Sequence, residues 1–183
     1  RPPLVSCCVR GASSLGSFDP RSPVDAVLTP GVAEVGSLRP ETMDSGTMTR
    51  LRAGERDGNK DAIYMLGIMH LYGNFVERDP KRALELFRRA AEKGHPAAQS
   101  NLGLMLSSGT GAARDDRAAV GWLREAVRGG SADGEWMLAI MCREGRGMAQ
   151  DLRRAARLFS ESAAKGNPHG QFYFGEALEY GTG

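Results

Sequence analysis

The chain repeats itself every 36 residues, and a fixed period of this length constrains the fold more than any other feature. Residues 61–96, 97–132 and 133–168 align without a gap, and residues 169–183 begin a fourth copy. The matching positions include five columns: Leu66, Leu102, Leu138 and Phe174; Gly73, Gly109, Gly145 and Gly181; Asp79, Asp115 and Asp151; Phe87, Leu123 and Phe159; and Gly94, Gly130 and Gly166. Because one such unit cannot bury its own apolar surface, we expect the copies to stack around a continuous core.

Each copy has the pattern of two helices joined by a turn. In the first copy, Leu66 and Met69 lie on one helical face, and Gly73 follows where a left-handed residue would end the helix. Asp79 and Pro80 then have the order of an N-cap and a first helical residue. The carboxylate accepts otherwise unpaired N–H groups, and proline has no N–H to lose at that position.

Small residues and a second set of caps complete the pattern. Gly67 and Ala90 lack the bulk that would keep neighbouring helices apart, so we expect close helix packing there. His95-Pro96 and Asn167-Pro168 predict a cap and a first residue at the start of first helices. Together these signals predict an all-α fold, an α/α solenoid of helix-turn-helix repeats over residues 61–183.

Residues 1–46 differ in character from the repeats. This stretch holds six of the nine prolines and one of the twelve aromatic residues, Phe18, and its apolar residues follow no helical or strand period. Leu4 to Val9 is too short and too polar for the apolar segment of a signal peptide, and Asp19 and Asp25 do not suit a transit peptide. We therefore predict a disordered low-complexity tail.

Residues 47–60 are predicted to be a degenerate half-repeat. Leu51 and Gly58 lie one period before Phe87 and Gly94. This offset matches the second helix of a preceding copy, while the rest of the pattern is weak.

The repeat pattern resembles Sel1-like repeats, a subclass related to tetratricopeptide repeats. It is carried by A-x-x-x-L-G in the first helix, by aspartate at the start of the second, and by a G-x-G turn. The turn reads Gly109-Thr110-Gly111, Gly145-Arg146-Gly147 and Gly181-Thr182-Gly183. In the first copy Phe75 replaces the second glycine, so we expect that turn to differ. The 36-residue period argues against a plain 34-residue tetratricopeptide repeat.

The resemblance implies protein binding rather than catalysis. Sel1-like proteins are generally adaptors, and first helices mainly line their concave surface. One bacterial subfamily, described as β-lactamase-like, carries a cysteine pair in each repeat, whereas Cys142 is the single cysteine of this array. The predicted function is a protein-interaction scaffold without catalysis of its own. The alternatives are a repeat-bearing hydrolase, or a regulatory segment of a larger enzyme whose catalytic domain lies outside this chain.

Catalytic and cofactor motifs have simpler explanations in the repeat. Ser162 to Lys165 matches S-x-x-K, but it aligns with residues 90–93 and no S-D-N or K-T-G follows. The G-x-G turns lack the preceding strand and the Gly-Lys-Ser/Thr of a phosphate loop. His70, His95 and His169 occupy different parts of the unit, and no metal-binding spacing occurs. We therefore predict no cofactor and no metal.

The charge balance excludes a strongly basic binding protein. Within residues 61–183 there are 16 basic and 15 acidic residues, so the arginines of the second helices are expected on a solvated face rather than on nucleic acid. No apolar stretch is long enough to span a bilayer. No N-x-Ser/Thr sequon occurs, which favours the cytoplasm over a secretory lumen.

The candidate partner-binding residues lie in three columns of the first helices. Two readings of these columns stay open: a binding groove that varies its chemistry, for which Tyr and Trp are suited, or packing between neighbouring units. The candidates are Tyr64, Ser100, Trp136 and Phe172; then Ile68, Leu104 and Ile140; then Tyr72 and Tyr180.

The C-terminal stretch presents a further expectation. Residues 169–183 include Phe172, Leu178 and Tyr180 but reach no fourth second helix. A solenoid normally ends in a unit with a polar outer face. We therefore expect the natural protein to continue with the rest of the fourth repeat, and the chain as given to self-associate or fray at this end.

Overall fold

The computed structural model describes residues 45–179 and 181, and every regular element in that range is an α-helix. The helices are α1 (Ser45–Arg56), α2 (Lys60–Tyr72), α3 (Pro80–Glu92), α4 (Pro96–Ser108), α5 (Asp116–Arg128), α6 (Ala132–Glu144), α7 (Leu152–Ala164) and α8 (Pro168–Glu179). The predicted all-α fold is confirmed, since α2 to α7 form three helix pairs with one shared length and spacing.

Aspartate opens each second helix, as predicted. The Oδ1 atoms of Asp79, Asp115 and Asp151 accept hydrogen bonds of 2.9–3.0 Å from the backbone N–H three residues later. Each of these residues has extended backbone angles and lies just outside the helix. The carboxylate thereby takes one of the N–H groups that a helix start leaves unpaired.

The first helices use other side chains for the same purpose. His95 Nδ1 accepts from the Ala98 N–H at 3.2 Å, and Asn167 Oδ1 accepts from the Gly170 N–H at 3.0 Å. Both predicted cap pairs are therefore confirmed. Burial lowers the pKa of His95, which favours the neutral ring that an accepting nitrogen requires.

Left-handed glycines end the first helices at the predicted positions. Gly73, Gly109 and Gly145 have φ values of 78°, 75° and 69°. Each donates its N–H to a methionine carbonyl four residues earlier. A residue with a Cβ would be strained in this conformation, which explains why glycine recurs here.

The turn of the first copy keeps the handedness of the others, and the expectation that it would differ is wrong. Phe75 has a φ of 64°, close to the 78° of Gly111 and the 67° of Gly147. Glycine is needed in the later copies for a second reason. A Cβ on Gly111 would lie 2.5 Å from the carbonyl oxygen of Pro80, whereas the side chain of Phe75 is exposed.

The core is built from the large apolar columns of the repeat. Leu66, Leu102 and Leu138 are buried on the first helices, and Phe87, Leu123 and Phe159 are buried on the second helices. A Cβ on Gly67 would lie 2.7 Å from Cε1 of Phe87. The missing side chain therefore admits the ring, as predicted, and lets α2 and α3 approach closely.

The helices stack in chain order. Each first helix packs on its own second helix, and each second helix packs on the first helix of the next copy. α4 also packs on α6, and α6 packs on α8. This continuity is the nearest-neighbour packing of a solenoid.

The α1 helix begins at Ser45, so it includes the last two residues of the predicted tail, and its end at Arg56 lies 36 residues before the end of α3. It packs on α2, where a Cβ on Gly54 would lie 2.7 Å from the Cβ of Ala62. The predicted tail otherwise covers residues 1–44, which lie outside the described residues.

We expect Leu102→Ala to destabilise the array by about 2–5 kcal/mol, because truncation of a fully buried leucine leaves a cavity. Chemical denaturation would measure the change. Leu152, an exposed leucine of α7, provides the control, and Leu152→Ala is expected to change stability by no more than about 0.5 kcal/mol. Equal effects of the two substitutions would contradict the assigned core.

We expect Gly147→Ala to cost about 1–3 kcal/mol more than Gly166→Ala. Both glycines have left-handed φ values, 67° and 82°, so both variants carry the backbone strain. Only at Gly147 would the new Cβ overlap a backbone carbonyl, that of Asp116, while Gly166 has nothing within 4 Å. The difference between the two denaturation midpoints therefore measures the cost of disturbing the contact between the second and third copies, apart from the backbone strain.

Candidate functional site

The first candidate column lies in the seam between successive repeats. Ser100 and Trp136 are only 2% and 3% exposed. Ser100 Oγ shares a 2.9 Å hydrogen bond with Ser131 Oγ, the cap of the next first helix. Trp136 stacks on His169 with ring centroids 4.7 Å apart. At these two positions the side chains pack between neighbouring units, the second of the two interpretations given above.

The two end members of that column are more accessible. Tyr64 is half-buried; its ring stacks on His95 at 4.4 Å, and its hydroxyl accepts from Asn101 Nδ2 at 3.3 Å. Phe172 on α8 is 63% exposed. Phe172, which no later described helix covers, is therefore the most exposed member of the column.

The second and third columns are divided in the same way. Ile68 and Leu104 are buried, while Ile140 is half-buried. Tyr72 is half-buried, and desolvation, followed by the nearby Tyr64, raises the pKa of Tyr72 to about 12. Tyr180 lies outside the described residues.

Two arginines between the copies were not among the predicted site residues. Arg143 places its guanidinium 4.9 Å from the ring centroid of Tyr173 and 5.7 Å from that of Phe159. Arg146 donates from Nη2 to the Ser107 carbonyl at 2.7 Å and to Asp116 Oδ1 at 2.9 Å. Neither belongs to a conserved column of the repeat, so the 36-residue pattern carried no signal for them.

The carboxyl of Asp116 is the best-paired acid of this seam. Its pKa lies below the usual range, first because Arg114 donates hydrogen bonds to it and also because Arg146 does. These contacts hold the G-x-G turn of the third copy on the second helix of the second. The turn glycines thus serve packing between repeats.

The helix α8, which is the first helix of the fourth copy, exposes apolar side chains whose counterparts in earlier copies are buried. Leu178 is 68% exposed, whereas Leu106 and Cys142, at the same position of earlier copies, are 7% and 0% exposed. Gly175 has no atom within 4 Å of an added Cβ, unlike Gly67. A cleft of about 320 Å³ lies here between α7 and α8, lined by Phe174, Leu178, Arg153 and Arg157 among others.

The S-x-x-K residues have separate structural roles. Ser162 Oγ donates to the Ala132 carbonyl at 2.8 Å. Lys165 Nζ forms an ion pair with Glu135 and donates to the Gly130 carbonyl at 3.2 Å. A serine nucleophile needs a hydrogen bond to a general base, whereas the Ser162 hydroxyl donates to a backbone carbonyl of α6.

Within the described helices, histidine and cysteine side chains form no common site. In the part of the chain that the structure describes, no three His, Cys, Asp or Glu side chains are grouped as metal ligands. Cys142 is buried, its Sγ donates to the Asp151 carbonyl at 3.2 Å, and burial raises its pKa. A thiol in this state is a poor nucleophile. Within residues 45–179, no helix combines the length and apolar content needed to span a bilayer.

The sequence profile of the Sel1 repeat matches residues 60–95, 96–131 and 132–167, more than half of the chain. The chain belongs to the Sel1 repeat family. Each matched repeat starts one residue before the boundary chosen above from the sequence columns. No functionally curated protein matches the chain.

Solved structures agree with the family. A Sel1 repeat protein from Oxalobacter formigenes is 28% identical, with a TM-score of 0.63 over 71% of this chain and 98% of its own. The protective antigen c5321 of uropathogenic Escherichia coli is 25% identical, with a TM-score of 0.72 over 87% of this chain. This chain spans only 37% of the length of c5321.

A third structure shares the fold alone. Cysteine-rich protein B of Helicobacter pylori is 18% identical, with a TM-score of 0.53 over 68% of this chain and 94% of its own. The present array has Cys142 as its single cysteine and so lacks cysteine pairs in its repeats. Similarity here therefore extends to the backbone arrangement alone.

Proposed function

We propose that this Sel1 repeat chain is a protein-interaction scaffold or adaptor, without catalysis of its own, that binds partners through the accessible face of its first helices. The observation that carries the proposal is the distribution of exposure along the candidate columns. Ser100, Leu104 and Trp136 are buried by packing, while Tyr72 and Ile140 are half-buried and keep part of their surface exposed.

These two side chains have the properties of interface anchors. Tyrosine and large aliphatic side chains supply apolar area, and the helices hold them in place before a partner arrives. Tyr72 and Ile140 lie 68 residues apart in the sequence, on α2 and α6, which are both first helices of their copies. A partner with apolar side chains at matching intervals would engage several first helices together.

The charges of the second helices support a protein partner rather than nucleic acid. Arg82 and Arg89 pair with Glu55, and Arg128 pairs with Glu125. Pairing of this kind lowers the net positive potential that phosphate binding requires.

The array itself supplies the substitutions for the test. Tyr72→Ser and Ile140→Glu introduce the residues found at the same positions of other copies, Ser108 and Glu176. We expect the double variant to stay folded, with an unchanged circular dichroism spectrum, and to lose the proteins that the immobilised full chain retains from its source cell. Quantitative mass spectrometry would measure that loss, expected at about tenfold or more if one hot spot is removed.

Arg88→Ser provides the matched control. Arg88 is exposed on α3, and Ser160 occupies its position in the third copy. The control variant should retain the same proteins as the parent chain. Retention that survives in the double variant, or is lost equally in the control, would contradict binding through the first-helix face.

Self-association through α8 is a second part of the proposal, and the exposure of Phe172 and Leu178 supports it. In the earlier copies a following repeat covers these positions, so a second copy of the chain could cover them here. Sedimentation velocity over a range of concentrations should show association of the parent chain. Phe172→Ser with Leu178→His, which again borrows residues from other copies, should shift it to monomer; a parent chain that is monomeric throughout would contradict this part.

A further inference from the structure

We propose that the cleft between α1, α2 and α3 binds a small organic anion with an apolar body. This cleft of about 350 Å³ is lined by Met48, Leu66, Val76 and Leu86, and by Arg52, Glu55, Arg56, His70 and Arg82. The inference stands independently of the protein-interaction function proposed above. It concerns the first copy alone, at the opposite end of the array from α8.

The volume suits a small molecule. Ligand sites in proteins typically enclose about 300–1,000 Å³, with mostly apolar walls and a few placed polar groups. Leu66 and Leu86 are buried, and Met48 and Val76 are half-buried, so they provide the apolar part of the wall. The polar groups come from α1, from α3 and from His70 on α2.

Two polar residues of the cleft differ from the residues at the same positions of the other copies. At the position of His70 the other copies carry Leu106, Cys142 and Leu178, and at the position of Glu55 they carry Ala91, Val127 and Ala163. The seams between later copies are therefore apolar where this one is polar. A solenoid needs no histidine or glutamate here for packing, since Leu106 and Ala91 fill the same places in the next copy.

His70 leaves one nitrogen without a hydrogen-bond partner. Its Nδ1 is buried, and no donor or acceptor among residues 45–179 reaches it. An unpaired buried polar atom is costly, and because Nδ1 has no exposed surface, a bound group would pair with it only after the His70 ring rotates towards the cleft that it lines. After that rotation, an oxygen of a carboxylate or phosphate would accept from the ring N–H.

The remaining charges favour an anion. Glu55 Oε1 accepts from Arg82 Nη2 at 3.2 Å and from Arg89 Nη1 at 2.6 Å, so this carboxylate is already shared by two arginines. No carboxylate of the described residues lies within ion-pair distance of Arg52 or Arg56, whose side chains also line the cleft. Guanidinium groups bind carboxylate and phosphate oxygens in pairs, which makes them the anion-binding elements of the site.

The test uses the full chain with two probes, phenyl phosphate and inorganic phosphate, and isothermal titration calorimetry. We expect phenyl phosphate to bind more tightly than inorganic phosphate, because only the ring can occupy the apolar wall. Arg52→Ser with Arg56→Ala should weaken binding of phenyl phosphate by about tenfold or more, because two charge-assisted contacts are lost. His70→Leu should abolish binding while thermal melting shows a folded chain, since it restores the apolar residue of the next copy.

The array again contains its own control. Arg124 and Arg128 occupy the positions of Arg52 and Arg56 two copies later, on α5, so Arg124→Ser with Arg128→Ala removes the same charges elsewhere. This variant should bind phenyl phosphate as the parent chain does. Four outcomes would overturn the proposal: no binding at millimolar probe, equal affinity for the two probes, equal weakening by the two double variants, or binding that persists in His70→Leu.

Discussion

In the first two copies, the contact of a glycine on the first helix with a large side chain on the second helix underlies the packing of the helix pair. At Gly67 and Gly103 an added Cβ would lie 2.7 Å from Phe87 and Leu123, so the two helices can approach only because the side chain is absent. Close approach puts the apolar stripes of the two helices in contact along their length. Each helix pair then presents one face to the next, and stacking becomes the way to bury it.

Polar contacts align one copy with the next. Asn101 Nδ2 of the second copy donates to the Tyr64 hydroxyl of the first at 3.3 Å, and Lys165 Nζ of the third copy donates to the Gly130 carbonyl of the second at 3.2 Å. On the opposite end of the helices, Arg146 bridges the turn of the third copy to Asp116. These groups are directional, so they specify the register that apolar packing alone leaves loose. The same seams remove Ser100 and Trp136 from the surface and determine which side chains stay available to a partner.

Much of this could be predicted from the sequence because it depends on local or periodic features. A cap is decided within a few residues, as at Asp79 and His95, and a left-handed glycine such as Gly73 is decided by its own backbone. The candidate surface could not be predicted in the same way. Ser100 and Phe172 share one column, yet the first is buried by the next repeat and the second is exposed, because burial depends on a neighbour distant in the chain. At Phe75 the missing glycine predicted a different turn, yet the backbone there keeps the left-handed conformation of the other copies.

The sequence by itself determined the period, the two helices of each copy, their caps and the apolar columns of the core. These follow from residue spacing and from the conformational limits of glycine, proline and capping side chains. The tertiary structure alone decided which face of the first helices remains open, which arginines are paired, and that α1, α2 and α3 enclose a cleft beside His70. The physical reason is that exposure, pairing and cavities belong to the space between helices, where side-chain volumes from separate copies meet.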